Sequence, residues 1–356
     1  MLAAGIESES GLELLNSVRY STCPPGDTLF RGLDALFQTP LNRGDLIEIQ
    51  GLPSTGKTQF LLFITMTSLL PTLWKPVISS VPILHPIEIG GKEKTVVWFD
   101  CTQRFDIERL AHLIRSVLSS RLGNSLAGRG AGEKVEEVER EVVRCLGRLV
   151  VYKPGSTTEL AATILSRLSL GLPNGGLNLS YLIIDGLSEF YHADQFQKEQ
   201  ASKSKTTSTP PTPPIRHLIT SLTHLRRTLS PVVLVSTWVL NSSKNSSKNG
   251  ITHRSTEFYP FFSPALPSPW PSITSPAQNL DPSDPIDNSI GLRYHITTYA
   301  PEMRKGKEGE SFEEAFRKRK VGRGKGMEEF KAILRERGGG EVGHWEFDVL
   351  EDRIDS

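Results

Sequence analysis

Gly51, Leu52, Pro53, Ser54, Thr55, Gly56, Lys57 and Thr58 fit the pattern G-x-x-x-x-G-K-[ST]. Each residue type at that spacing answers a need of a bound triphosphate. Gly51 and Gly56 let the backbone curl so that successive N–H groups face phosphate oxygens, and a helix starting near Lys57 adds its positive end. The Lys57 ammonium suits the β and γ phosphates, and the Thr58 hydroxyl suits one position on Mg2+. The alternative is a glycine turn in some other α/β protein. Context weighs against it, because the β-leaning run DLIEIQ enters the turn and the apolar helical run QFLLFITMTSLL leaves it.

A second group belongs with the first. Tyr181 to Asp185 reads YLIID, an apolar strand ending in a carboxylate. Downstream of a phosphate loop this is the pattern in which the aspartate, at the strand's carboxyl end, orders Mg2+. Alone the pattern is common; paired with Gly51 to Thr58 it assigns Thr58 and Asp185 to the metal.

The elements that must hold these groups alternate along the chain. Strand-like runs are Thr95 to Phe99, ending at Asp100, then Leu149 to Tyr152, Val232 to Ser236, Leu292 to Thr298 and His344 to Leu350. Helical spacing lies between them. Asp106 caps a helix carrying Ile107, Leu110, Ala111, Ile114, Val117 and Leu118; EKVEEVEREVVRCL, Thr158 to Leu168 and Ile215 to Leu229 follow. Strands alternating with helices predict an α/β fold, a mostly parallel central sheet with helices on both faces, and phosphates bound at the strands' carboxyl ends.

The expected organisation is a lead of 1–40 with a short helix from Ser10, and an ATP-binding core of 41–239 with a low-complexity insertion at 202–214. A disordered Ser/Pro-rich loop of 240–290 follows, and strands and a charged segment in 291–356 complete the core. Pro71 to Lys94, punctuated by prolines, reads as a long connection.

Composition excludes some classes. The formal net charge is +1 over 356 residues, so no global field points to nucleic acid or membrane. Three distant cysteines, Cys23, Cys101 and Cys145, suit neither a disulfide frame nor a zinc site. The absence of a long apolar run and of a basic leader predicts a soluble, unsecreted chain with no membrane partner.

With these residues in view, the sequence resembles the RecA-like recombinase superfamily and, within it, the eukaryotic recombinase paralogs. The resemblance rests on SGLELLNSVR, GDLIEIQGLPSTGKTQFL, VVWFDCTQRFDIERL and YLIIDGLSEFY, and covers most of Ser10 to Val239 with gaps. It implies a P-loop NTPase fold of RecA type binding ATP and Mg2+. It also implies a nuclear subunit of a hetero-oligomer with another recombinase paralog, of the D type, that assists homologous recombination on single-stranded or branched DNA. Two departures stand out. The family places a glutamate two positions after the strand's Asp, where this chain has Thr102 after Asp100; it places a γ-phosphate-sensing glutamine at the end of the fourth strand, where this chain reads Ser236, Thr237, Trp238. Loss of a general base removes roughly 10²- to 10⁴-fold in rate, so binding with weak or no hydrolysis is the economical reading. Two others stay open: a DNA-stimulated ATPase using Asp100 or Glu108 as base, and a P-loop small-molecule kinase.

The segments that correspond to the family's DNA-facing loops are Tyr191 to Pro214 and Asn241 to Ile290. The second carries Lys244, Lys248, Arg254, Phe258, Tyr259, Phe261, Phe262 and Trp270, which suit either bases and phosphates or, the favoured reading, packing within an insertion or on a partner. Arg317 to Lys320 (RKRK) reads as a nuclear signal, a phosphate patch or a solvated helix face.

Overall fold

The computed structural model describes residues 27–37, 41–79, 85–125, 131–168, 179–203, 214–238, 292–299, 328–336, 341–349 and 354–355, with Gly11, Leu14 and Val18 as isolated positions. The rest of the expected N-terminal helix, residues 204–213, the loop 240–290 and the RKRK run lie outside them.

Apolar side chains two apart along each strand divide the core into two layers. On one face Ile47 and Ile49 of β1 (Leu46–Gly51), Val96 and Trp98 of β4 (Thr95–Asp100) and Ile183 of β6 (Leu179–Asp185) are buried in one cluster. It includes Phe60, Leu61 and Ile64 of α2 (Lys57–Leu69), Leu110 and Leu118 of α3 (Ile107–Ser125) and Val138 of α4 (Ala131–Leu146). On the other face Val97, Phe99, Leu182 and Ile184, with Val233 and Val235 of β7 (Val232–Trp238), meet Leu160 of α5 (Thr157–Thr163) and Leu218 and Leu222 of α7 (Pro214–Thr228). Strands buried on both faces belong to a sheet covered on both sides, and each fully buried Leu, Ile or Val contributes about 1.5–3 kcal/mol.

The sheet among the described residues runs β11-β10-β9-β8-β1-β7-β6-β4-β5. The six strands from β8 (Leu292–Tyr299) to β5 (Leu149–Tyr152) pair in parallel; β9 (Glu328–Glu336), β10 (Glu341–Val349) and β11 (Ile354–Asp355) extend it antiparallel. The mostly parallel sheet with helices on both faces expected from the sequence is the one the chain forms.

The antiparallel extension reaches the phosphate loop. Phe330 of β9 and Phe347 of β10 stack with ring centroids 5.4 Å apart, and Phe347 meets Phe30, just ahead of α1 (Arg31–Asp34), at 5.6 Å. A Cβ placed on Gly56 would lie 3.1 Å from both the Phe330 and the Phe347 ring.

Three elements differ from the sequence expectation. The charged stretch after Pro301 contains β9, whose Phe330, Ala332 and Leu334 are buried while Lys331 faces out. Alternation of period two is present there but embedded in charge. The first supposed DNA-facing loop begins instead as helix α6 (Tyr191–Lys203), too polar to show an apolar stripe. The long connection of Pro71 to Lys94 contains a small hairpin of β2 (Leu73–Trp74) and β3 (Ile87–Glu88).

Candidate nucleotide-phosphate site

β1 ends at Gly51, beside Trp238 of β7 and Thr298 of β8 in the parallel register. The turn must pass close to β8: a Cβ on Gly51 would sit 2.3 Å from Thr298 Oγ1 and 2.5 Å from Thr55 Oγ1. Leu52, Pro53 and Ser54 are exposed at the turn's crest. Ser54 has a φ of 61° and Gly56 one of 82°, the left-handed region that glycine enters freely and serine only at a cost. Thr55 Oγ1 donates to the Leu52 carbonyl at 2.8 Å and lies 2.7 Å from Thr298 Oγ1, which anchors the turn to the sheet.

Lys57 opens α2 and is buried. Its ammonium donates to the carbonyls of Gly51 at 2.9 Å and Leu52 at 2.7 Å, folding back over the turn. Burial pulls its pKa down to about 8, and the Asp185 carboxylate opposes that shift. The next residue, Thr58, donates its hydroxyl to Asp185 Oδ2 at 3.0 Å. The two residues assigned to the metal, 127 positions apart in the chain, are thus in direct contact. Burial raises the Asp185 pKa; hydrogen bonds from Ser236 and Thr58 and the charge of Lys57 work against it, and Asp100 works with it.

These groups fit a magnesium nucleotide. The turn is a cradle whose close approach to β8 leaves no room for a side chain at Gly51, and Thr58 and Asp185 offer the hard oxygen ligands that Mg2+ takes alongside water and phosphate. The backbone of Gly51 to Thr58 and the Lys57 ammonium would hold the phosphates, and Thr58 and Asp185 the metal. Bound there, Mg2+ would neutralise charge on the phosphate oxygens. No group of three or more His, Cys, Asp or Glu that could hold a metal occurs among the described residues.

Asp100, register partner of Asp185 on β4, has a different environment. It is fully buried; Oδ1 accepts from Thr102 Oγ1 at 2.8 Å and Arg104 N at 3.2 Å, and Oδ2 accepts from Phe105 N at 2.8 Å. Lys153 Nζ lies 3.8 Å from Oδ2. The carboxylate pins the turn that leads into α3, where Asp106 caps the helix by accepting from Arg109 N at 3.0 Å. Glu108, in the first turn of that helix, is exposed.

The end of β7 supplies what sequence reasoning missed. Ser236 Oγ accepts from Gly186 N at 2.7 Å and donates to Asp185 Oδ1 at 2.5 Å. Thr237 Oγ1 donates to Glu48 Oε1 at 2.8 Å, and Trp238, partly exposed, gives its backbone N–H to Ser188 Oγ at 2.9 Å. A small hydroxyl residue two positions before a strand's end carries no sequence signal for such a contact.

No protein-family profile matches the sequence. Among curated proteins, the DNA repair protein XRCC2 homolog of Arabidopsis thaliana is 26% identical over 192 residues, 49% of this chain and 49% of its own length. The DNA repair protein XRCC2 of Mus musculus is 30% identical over 190 residues, 53% of this chain and 55% of its own. The chain therefore spans about half the length of the curated relatives it matches. Among solved structures, the crystal structure of the RadB recombinase covers 93% of this chain and 98% of its own with a TM-score of 0.47 at 13% identity. Over about half its length the chain is thus similar in sequence to these two XRCC2 proteins, in keeping with its resemblance to the RecA-like recombinase paralogs.

Proposed function

We propose that this chain is an ATP-binding recombinase-paralog subunit that assists homologous recombination repair of DNA double-strand breaks in the nucleus. It acts by assembling with another recombinase paralog, of the D type, on single-stranded or branched DNA, with little or no hydrolysis. The observation that carries the nucleotide half is the 3.0 Å contact of Thr58 with Asp185 beside the Lys57 ammonium. The repair half rests on the two XRCC2 relatives.

Weak turnover follows from what surrounds the phosphates. Thr102 has no carboxylate, and its hydroxyl is committed to Asp100. Asp100 itself makes a poor base, since both its oxygens already accept hydrogen bonds from the turn it braces. Glu108 remains for the competing reading, an ATPase stimulated by DNA.

Fluorescent mant-ATP titration and phosphate release from the full chain, with and without single-stranded DNA, test the proposal. Expected are Mg2+-dependent binding that weakens roughly tenfold or more in Lys57→Ala, and phosphate release near background under both conditions. Robust release abolished by Lys57→Ala would establish the ATPase instead; absence of binding would remove the nucleotide reading. Co-purification and identification of the bound paralog tests the assembly half.

A further inference from the structure

The ladder between β6 and β7 pairs Ile184 with Val235 as its last residues. Past that pair, the Gly186 N–H turns to a side chain in place of a strand carbonyl and donates to Ser236 Oγ at 2.7 Å. A serine hydroxyl has one proton, and an N–H can only donate. With Gly186 N feeding the oxygen, that proton goes to the other neighbour, Asp185 Oδ1, 2.5 Å away. Both partners are shielded from water, Ser236 at 1% and Asp185 at 4% exposure, so no solvent competes for these bonds. One carboxylate oxygen is thereby taken. The other, Oδ2, is left facing the Thr58 hydroxyl.

Resting on the nucleotide reading above, we propose that Ser236 is a positioning residue for the metal: it fixes Asp185 so that Oδ2, and not Oδ1, is presented to Mg2+ beside Thr58. Gly186 sets the donor. It stands at a φ of 80°, which glycine enters freely, and a Cβ there would lie 2.3 Å from Thr102 Cγ2, so the turn has no room for a larger residue. Without the Ser236 hydroxyl, Asp185 keeps its place on β6 but loses the constraint on its rotation. The consequence falls on metal coordination and spares phosphate contacts made by the loop and Lys57.

The test measures mant-ATP affinity of the full chain twice, in excess Mg2+ and in EDTA, for wild type, Ser236→Ala, Ser236→Thr and Ser236→Cys. The ratio of the two affinities is the readout. In the wild type Mg2+ tightens binding; in Ser236→Ala that tightening falls by roughly tenfold, the size seen when a metal ligand loses its orienting partner, while affinity in EDTA stays within about twofold. Ser236→Thr, which keeps the hydroxyl, restores the ratio. If Ser236→Ala does not fold, Ser236→Cys, close in volume with a weak donor, carries the same expectation of a several-fold loss. An unchanged ratio in the foldable variant overturns the proposal, as does an equal loss in EDTA and Mg2+, the mark of a purely structural role. A wild type that binds mant-ATP with no gain from Mg2+ overturns the positioning role and leaves the cradle standing. A wild type that binds no nucleotide removes both.

Discussion

Acidification should weaken this fold through one buried histidine. His295 lies on β8 at 3% exposure, with Nε2 3.0 Å from Gln50 Oε1 and Nδ1 3.4 Å from Thr297 Oγ1. Arg335 of β9 donates to that same Thr297 oxygen at 2.7 Å. The row has one consistent direction: guanidinium to threonine, threonine proton to Nδ1, and Nε2–H to the Gln50 carbonyl. It serves a neutral imidazole. A proton on Nδ1 would leave the Thr297 hydroxyl to accept twice, close to the charge of Arg335. Burial first and Arg335 second pull the pKa from the ordinary 6.5 down to about 3.

The sign follows from proton binding. Between about pH 6.5 and 3 the unfolded chain holds a proton at this site that the folded chain does not, so stability falls as pH drops through that window. Between pH 7 and 5 the loss is about 2 kcal/mol, and it is insensitive to the folded value because the folded histidine is neutral throughout. Equilibrium urea unfolding at both pH values, in wild type and in His295→Gln, isolates the effect. The glutamine keeps an N–H for Gln50 and does not titrate. The wild type should lose about 2 kcal/mol more than the variant across that interval, whatever their difference at pH 7. Glu48 stands opposite His295 in the β1–β8 register, its carboxylate taking the Thr237 hydroxyl. Were Glu48 and His295 an ion pair, the order would reverse and the variant would suffer more in acid. Equal or reversed losses would refute the neutral-histidine account.

Two substitutions separate cradle from brace. Gly51→Ala forces a methyl to within 2.3 Å of Thr298 Oγ1 and 2.7 Å of the Thr298 carbonyl, so mant-ATP binding should be lost and stability should drop by about 1–3 kcal/mol in urea unfolding. Asp100→Asn puts an amide N–H2 where Oδ1 or Oδ2 now accepts backbone N–H groups; a cost of about 2 kcal/mol is expected by urea unfolding, with mant-ATP affinity in the folded fraction nearly intact.

The turn of Gly51 to Thr58 was legible because it depends on local backbone demands. Gly56 sits at a φ of 82° and Gly51 in a space closed to side chains, and only glycine meets both conditions without cost. The strands were legible wherever both faces were apolar, as in Thr95–Asp100 and Val232–Trp238. β9 was not, because Glu328, Glu329, Lys331, Arg335 and Glu336 hide a buried row of three apolar residues. α6 was not, because a helix lying mostly in water needs no stripe. The Ser236 contact could not be read at all: it requires that β7 lie between β1 and β6, a neighbour relation that the linear order of strands leaves undetermined.

The sequence offers Asp100 as a possible base and Asp185 as a metal ligand, and the two carboxylates differ in the kind of donor around each. Two carboxylates at neighbouring strand ends, both buried, both need partners. Asp100 has the Thr102 hydroxyl on Oδ1 but also the backbone N–H of Arg104 on Oδ1 and of Phe105 on Oδ2, which can only donate and cannot turn away. Its oxygens are spent on holding a turn. Asp185 has the two hydroxyls of Ser236 and Thr58, and a hydroxyl is acceptor as well as donor. Ser236 is locked as a donor by Gly186 N–H, but no such lock holds Thr58. Were a cation to bind there, the Thr58 hydroxyl could rotate its proton aside and present a lone pair, and the oxygen that now satisfies Asp185 would become its fellow ligand. Asp100 is thus fixed on both oxygens by backbone donors, while Asp185 Oδ2 is held by a hydroxyl alone, the adaptable arrangement that the proposed metal would need.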